Sequence, residues 1–329
     1  MPELVDSHGR IIDYIRLSLT DRCNFRCVYC MPPEGEKRIP HDEILSYEEL
    51  LRLSRILASM GVSRYKITGG EPLCRKDAVE FIRDLKNLPG VKQVTLTTNG
   101  VLLGPSVERL AAIGLDGLNV SLDTLSQGHY GAITRSKSPL AEVLPVMAKA
   151  RALGILVKIN VVPLRGYNED DLPELAAFAL KHGYHIRFIE LMPVGLGAEH
   201  EGVPQDEVRA MIENSFGALS PLDRVIGNGP AEHFSVDGHK GSVGFISALS
   251  KKFCRQCNRI RLTSSGYLKS CLHHNIGIEL KGLLRSGASD KDIEEAVMSA
   301  VRKKPLAHDL SRSRGEKGKA AFLMNSVGG

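Results

Sequence analysis

The 329-residue sequence contains no tryptophan, and aromatic residues make up only 5% of it. Surfaces that stack nucleic-acid bases depend on such side chains, so the composition gives little support to a base-stacking platform. The sequence also has no uncharged apolar run of about 18 residues, the length of a membrane-spanning helix. Its first segment lacks the basic stretch followed by an apolar stretch that is typical of a secretory signal peptide. We therefore expect a cytoplasmic protein that does not contact a membrane.

Low-complexity segments and internal repeats are missing as well. Hydrophobic residues make up 43% and charged residues 25% of the chain, which excludes a long disordered stretch. A chain of this length fits one large α/β domain with an appended region. Six of the seven cysteines fall into two tight clusters, which excludes a secreted disulfide framework and indicates metal binding in a reducing compartment.

The formal charge of +5 is concentrated near the C-terminus. The excess arises from seven basic residues against Asp309 and Glu316; the basic residues are Arg302, Lys303, Lys304, Arg312, Arg314, Lys317 and Lys319. Such a run is most often a solvated or nucleic-acid-binding tail. The rest of the chain is formally neutral.

Short β-branched runs alternate with amphipathic segments over the first half of the chain. Predicted strands are Tyr14–Leu19, Tyr65–Thr68, Gln93–Thr97, Gly117–Ser121, Val157–Val162 and His185–Glu190. Predicted helices are Tyr47–Met60, Asp77–Leu88, Val107–Ile113, Leu140–Leu153 and Asp170–Lys181. Six βα units imply parallel strands with right-handed crossovers, in either an open sheet or a partial barrel.

The pattern changes after Gly195. A helix at Gln205–Phe216 precedes short strands punctuated by glycine, a hairpin at Ile260–Ser270, and helices at Ile278–Arg285 and Lys291–Val301. We therefore divide the chain into residues 1–215 and 216–329.

Residues of chemical interest follow the first four predicted strands. They are Cys23, Gly69–Pro72, Thr98–Gly100 and Ser121–Asp123, in strand order. Because ligands bind at the carboxyl ends of parallel strands in both candidate architectures, we expect these residues to share one site.

The first cysteine cluster is Cys23-x3-Cys27-x2-Cys30. Three thiolates can hold an iron–sulfur cubane and leave its fourth iron open, whereas a closed structural site supplies four ligands. The spacing alone leaves open a zinc site completed by a distant residue such as His41.

The segment CNFRCVYC, placed directly after the first strand, resembles the signature of radical S-adenosylmethionine enzymes. The resemblance implies a [4Fe–4S] cluster on Cys23, Cys27 and Cys30 that cleaves S-adenosylmethionine to a 5′-deoxyadenosyl radical. Gly69-Gly70-Glu71-Pro72 resembles the second motif of this family. Positions that the family uses to bind S-adenosylmethionine are matched by Tyr29, Gly70, Glu71, Ser121 and Met192.

The second cluster is Cys254-x2-Cys257-x13-Cys271. In isolation this spacing favours zinc, which His273 or His274 could complete. The surrounding segment FCRQCNRIRLTSSGYLKSCL resembles the GTP 3′,8-cyclases of molybdenum cofactor biosynthesis, in which an auxiliary [4Fe–4S] cluster binds the purine of GTP. Arg259 and Arg261 lie two apart on a predicted strand and so project to one face, where guanidiniums suit a phosphate.

This second resemblance covers essentially the whole chain and implies a complete reaction. The adenosyl radical removes H3′ of GTP, C3′ attacks C8, and a reduction follows. GTP-binding positions of the family are matched by Arg16, Lys66, Thr97, Lys158, Arg259 and Arg261. The resemblance assigns catalytic roles to Arg16, Arg259, Arg261, Gly328 and Gly329. Lys66 stands where the family normally has Arg, and Cys74, which belongs to neither triplet, is interpreted as a buried hydrophobe.

We therefore expect an incomplete (β/α)6 TIM-like barrel whose C-terminal α+β region carries the second cluster and covers the open side. The implied partners are GTP, a low-potential electron donor and a downstream cyclic pyranopterin monophosphate synthase, with no nucleic acid; a homodimer is compatible with the resemblance. Two alternatives stay open: a two-cluster radical enzyme that acts on peptides, and a zinc protein that binds nucleic acid.

Overall fold

In the computed structural model, which describes residues 3–37, 39–224, 226–227 and 229–308, twelve strands form one sheet. They are β1 (Tyr14–Ser18), β2 (Arg64–Thr68), β3 (Gln93–Thr98), β4 (Gly117–Ser121), β5 (Val157–Val161), β6 (His185–Ile189), β7 (Ser220–Pro221), β8 (Glu232–Ser235), β9 (Ser242–Ile246), β10 (Arg259–Leu262), β11 (Tyr267–Lys269) and β12 (Gly277–Glu279). Their order across the sheet is β12-β11-β10-β1-β2-β3-β4-β5-β6-β9-β8-β7.

The first six strands lie side by side in chain order, and all neighbouring pairs are parallel. A helix follows each of the first five, which is the connection that parallel strands need. The predicted strands are confirmed, because none of their ends differs by more than one residue. The incomplete (β/α)6 barrel expected from the sequence is therefore the core of the molecule.

Strands from the C-terminal region extend both edges of this core. β10 pairs in parallel with β1, and β9 pairs in parallel with β6. β11 and β12 continue one edge in antiparallel pairing, and β8 and β7 continue the other. The C-terminal region thus enlarges the same sheet at both edges. That it also covers the open side of the barrel stays a prediction.

Nine α-helices are found in the described part of the chain. They are α1 (Tyr47–Ser59), α2 (Ala78–Lys86), α3 (Val107–Ala112), α4 (Gln127–Thr134), α5 (Val143–Ala152), α6 (Leu172–His182), α7 (Gln205–Phe216), α8 (Lys281–Arg285) and α9 (Asp290–Arg302). Among these described helices, none is long and apolar enough to cross a membrane.

Local sequence signals explain why α1 begins where it does. The Ser46 hydroxyl accepts a hydrogen bond from the Glu49 amide (3.1 Å), and the Glu49 carboxylate accepts one from the Ser46 amide (2.7 Å). This reciprocal capping satisfies two amides that the first helical turn leaves unpaired. Leu50, Leu53 and Leu57 recur on one face of the helix and are buried in the core.

Two elements differ from the sequence prediction. Helix α4 was not predicted, because its sequence, QGHYGAIT, contains two glycines and little apolar periodicity. The predicted helix Ile278–Arg285 is wrong in its first part, since Gly277–Glu279 pairs with β11 as a strand. Helix α8 occupies only Lys281–Arg285.

Candidate functional site

Both cysteine triplets line a single cavity of about 310 Å³ at the carboxyl ends of the core strands. Its wall contains Cys23, Cys27, Cys30, Cys254, Cys257 and Cys271. Ten further residues predicted for the site line the same cavity: Arg16, Tyr29, Lys66, Gly70, Glu71, Thr97, Ser121, Met192, Arg259 and Arg261. The structure thus brings together residues that lie more than two hundred positions apart in the sequence.

The loop that carries the first triplet is fixed by the end of helix α4. The amides of Arg26 and Val28 donate to the carbonyls of Thr134 and Ile133, both at 2.9 Å. Within the loop, the Cys30 amide donates to the Cys27 carbonyl at 2.9 Å. Helix α4, which was not predicted from the sequence, therefore supports the loop that carries the first triplet.

The thiols of the first triplet are partly buried, and the surroundings of Cys23 and Cys27 do not favour ionisation. Burial raises the pKa of Cys23 to about 11 and that of Cys27 well above its ordinary value, with Cys30 and Asp123 adding to the rise at Cys27. In a metal site, the metal itself deprotonates a coordinating thiol.

The second motif lies very close to the loop of the first triplet. A Cβ atom on Gly70 would lie 2.3 Å from the Arg22 carbonyl oxygen, and one on Gly69 would lie 2.6 Å from that of Thr20. Only glycine permits this approach. The Gly70 and Glu71 amides use it to donate to the carbonyls of Thr20 and Arg22, both at 2.7 Å.

Glu71 is a buried carboxylate whose two oxygens both accept hydrogen bonds. Thr98 Oγ1 donates at 2.8 Å, the Asn99 amide at 2.7 Å and the Leu73 amide at 3.1 Å. Burial raises the pKa of Glu71 to about 7 against the opposing effect of these donors. The side chain is therefore held in one orientation at the cavity wall.

Tyr29 is tied to the ends of two core strands through Asp123. Its hydroxyl donates to Asp123 Oδ2 at 2.8 Å, and the Val162 amide donates to Asp123 Oδ1 at 2.8 Å. Burial raises the pKa of Asp123 to about 6. The sequence placed Asp123 at a strand end without giving it a role; in the structure it lines the cavity and fixes the aromatic side chain of the first triplet.

The second triplet is assembled by a turn and a hairpin. Cys254 and Cys257 share one tight turn, in which the Cys257 amide donates to the Cys254 carbonyl at 3.1 Å. Strand β10 follows directly, and its antiparallel partner β11 brings the chain back to Cys271. Pairing of β10 with β1 then places this hairpin beside the first core strand.

Strand register concentrates basic side chains on one face. Arg16 on β1 lies opposite Arg261 on β10 and opposite Lys66 on β2, so the three residues share a row across the sheet. Burial lowers the pKa of both Lys66 and Arg261 well below the usual range, and neighbouring cations including Arg259 lower each of them further. Such a group of partly desolvated cations favours a bound polyanion.

Arg187 is a cavity cation that the sequence analysis missed. It is 3% exposed, and its Nη2 donates to Asn119 Oδ1 at 2.6 Å and to Asn160 Oδ1. Burial lowers its pKa to about 10. The sequence did contain an indication of this site, because Arg187 lies in the middle of a predicted parallel strand. The same feature led us to select Lys158.

Lys158 is the one GTP-binding candidate that lies in the described part of the chain but does not line the cavity. The residue is 1% exposed, and burial together with Arg187 lowers its pKa to about 7. A Cβ atom on Gly227 would lie 2.0 Å from Lys158 Nζ, so the ammonium group lies directly against that glycine.

Three expectations about individual residues need comment. Lys304, counted with the solvated tail, is 3% exposed and lines the cavity, so that interpretation was wrong for this residue. Cys74 is only partly buried, with its Sγ 4.0 Å from Asn24 Oδ1, so it is not the fully buried hydrophobe that we expected. Gly328 and Gly329 lie outside the described residues.

The donor set of each triplet fits an iron–sulfur cluster. The three cysteines of each triplet are free, and three thiolates are enough to hold a cubane cluster. Within the described residues, no three His, Cys, Asp or Glu side chains converge closely enough to hold a single metal ion. A cubane does not require such convergence, because each thiolate binds a different iron.

Comparisons with known proteins cover the whole chain. Residues 17–179 match the model of the radical SAM superfamily, and residues 184–310 match that of Molybdenum Cofactor Synthesis C. A GTP 3′,8-cyclase of Clostridium perfringens (strain SM101 / Type A) is 40% identical over 98% of this chain and 99% of its own length. One from Thermodesulfovibrio yellowstonii is 42% identical over 98% of this chain and 99% of its own length.

Among solved structures, Streptococcus suis SuiB bound to S-adenosylmethionine matches with a TM-score of 0.63. The match covers 90% of this chain and 69% of that chain at 14% identity. At this identity the likeness concerns the fold alone.

Proposed function

The chain belongs to the GTP 3′,8-cyclase family of the radical SAM superfamily, and on this premise we propose that it converts GTP to (8S)-3′,8-cyclo-7,8-dihydroguanosine 5′-triphosphate. That reaction is the first step of molybdenum cofactor biosynthesis. The observation that carries the proposal is the single cavity lined by both cysteine triplets and by a row of basic side chains.

The first triplet would hold the [4Fe–4S] cluster to which S-adenosylmethionine binds. When bound and reduced, this pair supplies the radical that removes hydrogen from the substrate. Glu71, whose carboxylate is fixed by hydrogen bonds, would receive the ammonium group of the cofactor. Tyr29, whose hydroxyl is held by Asp123, would pack near the adenine. Gly70, Ser121 and Met192 line the same cavity.

The second triplet would hold a second [4Fe–4S] cluster with one iron open to the purine. Arg16, Lys66 and Arg261 then offer adjacent cations to the triphosphate, and Arg259 lines the wall near the same triplet. Arg187 adds a further cation, whereas Thr97 and Lys158 stay predictions as contacts to GTP. Two fixed attachment points would hold the ribose near the radical source, which is the positioning that hydrogen abstraction needs.

The two alternative functions are less well supported. A peptide-modifying radical enzyme would share both triplets, but it does not require a buried row of cations. A zinc protein that binds nucleic acid would account for the cysteines but not for Glu71, Tyr29 and Met192 in the same cavity.

Several parts of the proposal rest on family membership alone. They are the low-potential electron donor, the downstream cyclic pyranopterin monophosphate synthase, the catalytic role of Gly328 and Gly329, and a homodimer. A cytoplasmic location and the division of the chain at residue 215 are predictions from the sequence pattern.

Anaerobic reconstitution tests the proposal directly. We expect about eight irons and eight sulfides per chain and two distinguishable [4Fe–4S] signals in electron paramagnetic resonance, one shifted by S-adenosylmethionine and the other by GTP. When the reconstituted protein is incubated with dithionite, S-adenosylmethionine and GTP, mass spectrometry should detect the cyclised triphosphate. ATP in place of GTP should give no cyclised product. Stoichiometric zinc, or a single cluster signal in fully loaded protein, would refute the assignment.

A further inference from the structure

A tight turn near the N-terminus carries an ion pair that is almost inaccessible to solvent. Asp6 and Arg10 are 6% and 7% exposed. Asp6 Oδ1 accepts hydrogen bonds from the amides of His8 (2.9 Å) and Arg10 (3.0 Å), and Gly9 takes the positive φ of +77° that closes the turn. The turn therefore fixes the direction in which the Arg10 side chain leaves the backbone.

The Arg10 guanidinium joins three parts of the chain that are far apart in sequence. Its Nε donates to Asp6 Oδ2 at 2.6 Å, and its Nη1 donates to the Cys254 carbonyl at 2.7 Å. Nη1 also donates to the Leu306 carbonyl at 3.0 Å, and Nη2 donates to the Pro305 carbonyl at 2.7 Å. One side chain thus links the N-terminal turn, the second triplet and the segment Lys304–His308, here called the strap.

The other contacts of the strap also lie at the second triplet. Lys304 Nζ donates to the Arg259 carbonyl at 2.8 Å and to the Ser270 carbonyl, so its ammonium group lies between the strands that carry the cysteines. At the far end, His308 Nε2 donates to the Ala248 carbonyl at 2.7 Å. Lys304 also interacts electrostatically with the thiols of Cys257 and Cys271.

We propose that the Asp6–Arg10 pair is a positioning device for the second triplet: through the strap it holds the Lys304 cation beside the thiolates, and it fixes the backbone of Cys254 at the same time. The inference rests on the proposed function, because it concerns the cluster assigned to this triplet. A cation held near a cluster stabilises the more negative, reduced state, and so it raises the reduction potential.

The N-terminal segment is also closed by backbone contacts that do not involve this side chain. The Val5–Ile11 bridge and the hydrogen bond from the Ile12 amide to the Leu4 carbonyl (2.8 Å) close the same turn through the backbone. Leu4 and Ile12 are buried in the core. Loss of the Arg10 side chain should therefore release the strap and Cys254 while the segment stays folded.

The test is a redox titration of the two-cluster protein, followed by electron paramagnetic resonance. The signal that S-adenosylmethionine shifts identifies the first cluster. Lys304→Met should make the second-cluster potential more negative, Arg10→Met should shift it in the same direction, and both should leave the first-cluster potential unchanged. Arg10→Lys is a milder variant that keeps the pair with Asp6 but loses the forked contacts to the strap, and it should shift the potential less.

Arg52→Met is the matched control. Arg52 also donates to an aspartate, Asp290 (2.9 Å), and to a backbone carbonyl, that of Ala288 (2.7 Å), but it links α1 to the start of α9 away from the triplets. We expect this variant to leave both potentials unchanged. In Arg10→Met, but not in Arg52→Met, the ratio of cyclised product to 5′-deoxyadenosine should fall severalfold.

The inference is overturned if Arg10→Met and Arg10→Lys hold two clusters with wild-type potentials. It is also overturned if the Arg10 variants lose thermal stability without a shift specific to the second cluster, because a purely structural role predicts that result. If Arg10→Met does not fold, Arg10→Lys decides. A wild-type protein with one cluster would instead refute the proposed function, and the two failures are therefore distinguishable.

Discussion

The two cysteine triplets line one cavity, yet their surroundings carry opposite charge. The first lies beside the carboxylates of Glu71 and Asp123, and burial raises the pKa of Cys23 to about 11. At the second, burial would also raise the pKa of Cys257, but Lys304 and Arg259 outweigh it and lower that pKa to about 7. Cations therefore dominate the surroundings of Cys257. At Cys23, the lowering effect of Arg26 does not outweigh burial and Glu71.

This difference matches the charge of the ligand proposed for each triplet. S-adenosylmethionine brings a sulfonium and an ammonium group, which acidic surroundings favour. GTP brings a triphosphate, and the adjacent cations Arg16, Lys66 and Arg261 favour that negative charge. Two triplets with the same donor atoms can thus suit different ligands, because the surrounding charge differs.

The largest expected effect separates the two triplets by function. Cys27→Ser should abolish formation of 5′-deoxyadenosine, because the open iron that binds S-adenosylmethionine is lost with its cluster. Cys257→Ser should abolish the cyclised product but leave measurable uncoupled cleavage of S-adenosylmethionine. Both products are quantified by chromatography after anaerobic reaction with dithionite. Equal loss of 5′-deoxyadenosine in the two variants would contradict the division of labour.

A second prediction concerns Gly328 and Gly329, which the family resemblance places in the active site. Deleting both residues, or replacing Gly329 by Ala, should leave both cluster signals and uncoupled cleavage intact and strongly reduce the cyclised product. Glycine is the residue that enters a crowded cavity without a clash from Cβ. If the truncated enzyme forms the product at the wild-type rate, Gly328 and Gly329 have no role in the reaction.

The six core strands could be predicted because each is a β-branched run between polar turns, and their parallel pairing follows from the helices between them. The triplets and the second motif could be identified from local spacing. The row formed by Arg16, Lys66 and Arg261 could not be derived in the same way. It depends on β10 pairing with β1, a contact between strands more than two hundred residues apart.

The positions of Lys304 and Arg10 were even harder to predict from the sequence. In the sequence, Lys304 is one lysine in a basic run, and only its contacts with the Arg259 and Ser270 carbonyls distinguish it from a solvated side chain. Arg10 lies in a polar turn that carries no motif. Both roles arise from tertiary contacts that local patterns do not encode.

A third prediction tests whether a basic side chain of the cavity contributes to GTP binding and not to S-adenosylmethionine binding. Lys66→Ala should weaken GTP binding by about 1.5–3 kcal/mol, the range for a hydrogen bond to a charged group, and should leave S-adenosylmethionine affinity unchanged. Lys66→Arg should be tolerated, since the family normally has Arg there. Equilibrium binding by calorimetry measures both ligands.

Lys86→Ala is the control for that measurement, because this lysine pairs with Asp116 (2.6 Å) and does not line the cavity. It should alter neither affinity. Unchanged GTP binding in Lys66→Ala would show that this position does not contact the nucleotide.

A fourth prediction concerns two buried groups, Lys158 and Glu71, whose contributions to the free energy of unfolding change with pH in opposite directions. Lys158 has a folded-state pKa of about 7, below the ordinary value of 10.5, so between these values the unfolded chain binds more protons than the folded one. Its contribution should therefore make the free energy of unfolding rise with pH over this window, by at most about 1.4 kcal/mol per pH unit. Glu71 behaves in the opposite way: its pKa is raised from 4.5 to about 7, so its contribution falls as pH rises between those values.

Urea denaturation of the metal-free chain measures both slopes. The difference in unfolding free energy between Lys158→Met and wild type should be large at pH 7 and shrink toward pH 10. In this window the wild-type lysine must lose a proton on folding, and that loss costs less as the pH approaches the unfolded-state pKa. Glu71→Gln is the matched variant, and its advantage should instead grow from pH 5 to pH 7. A pH-independent difference for Lys158→Met would mean that this lysine is not desolvated in the folded chain.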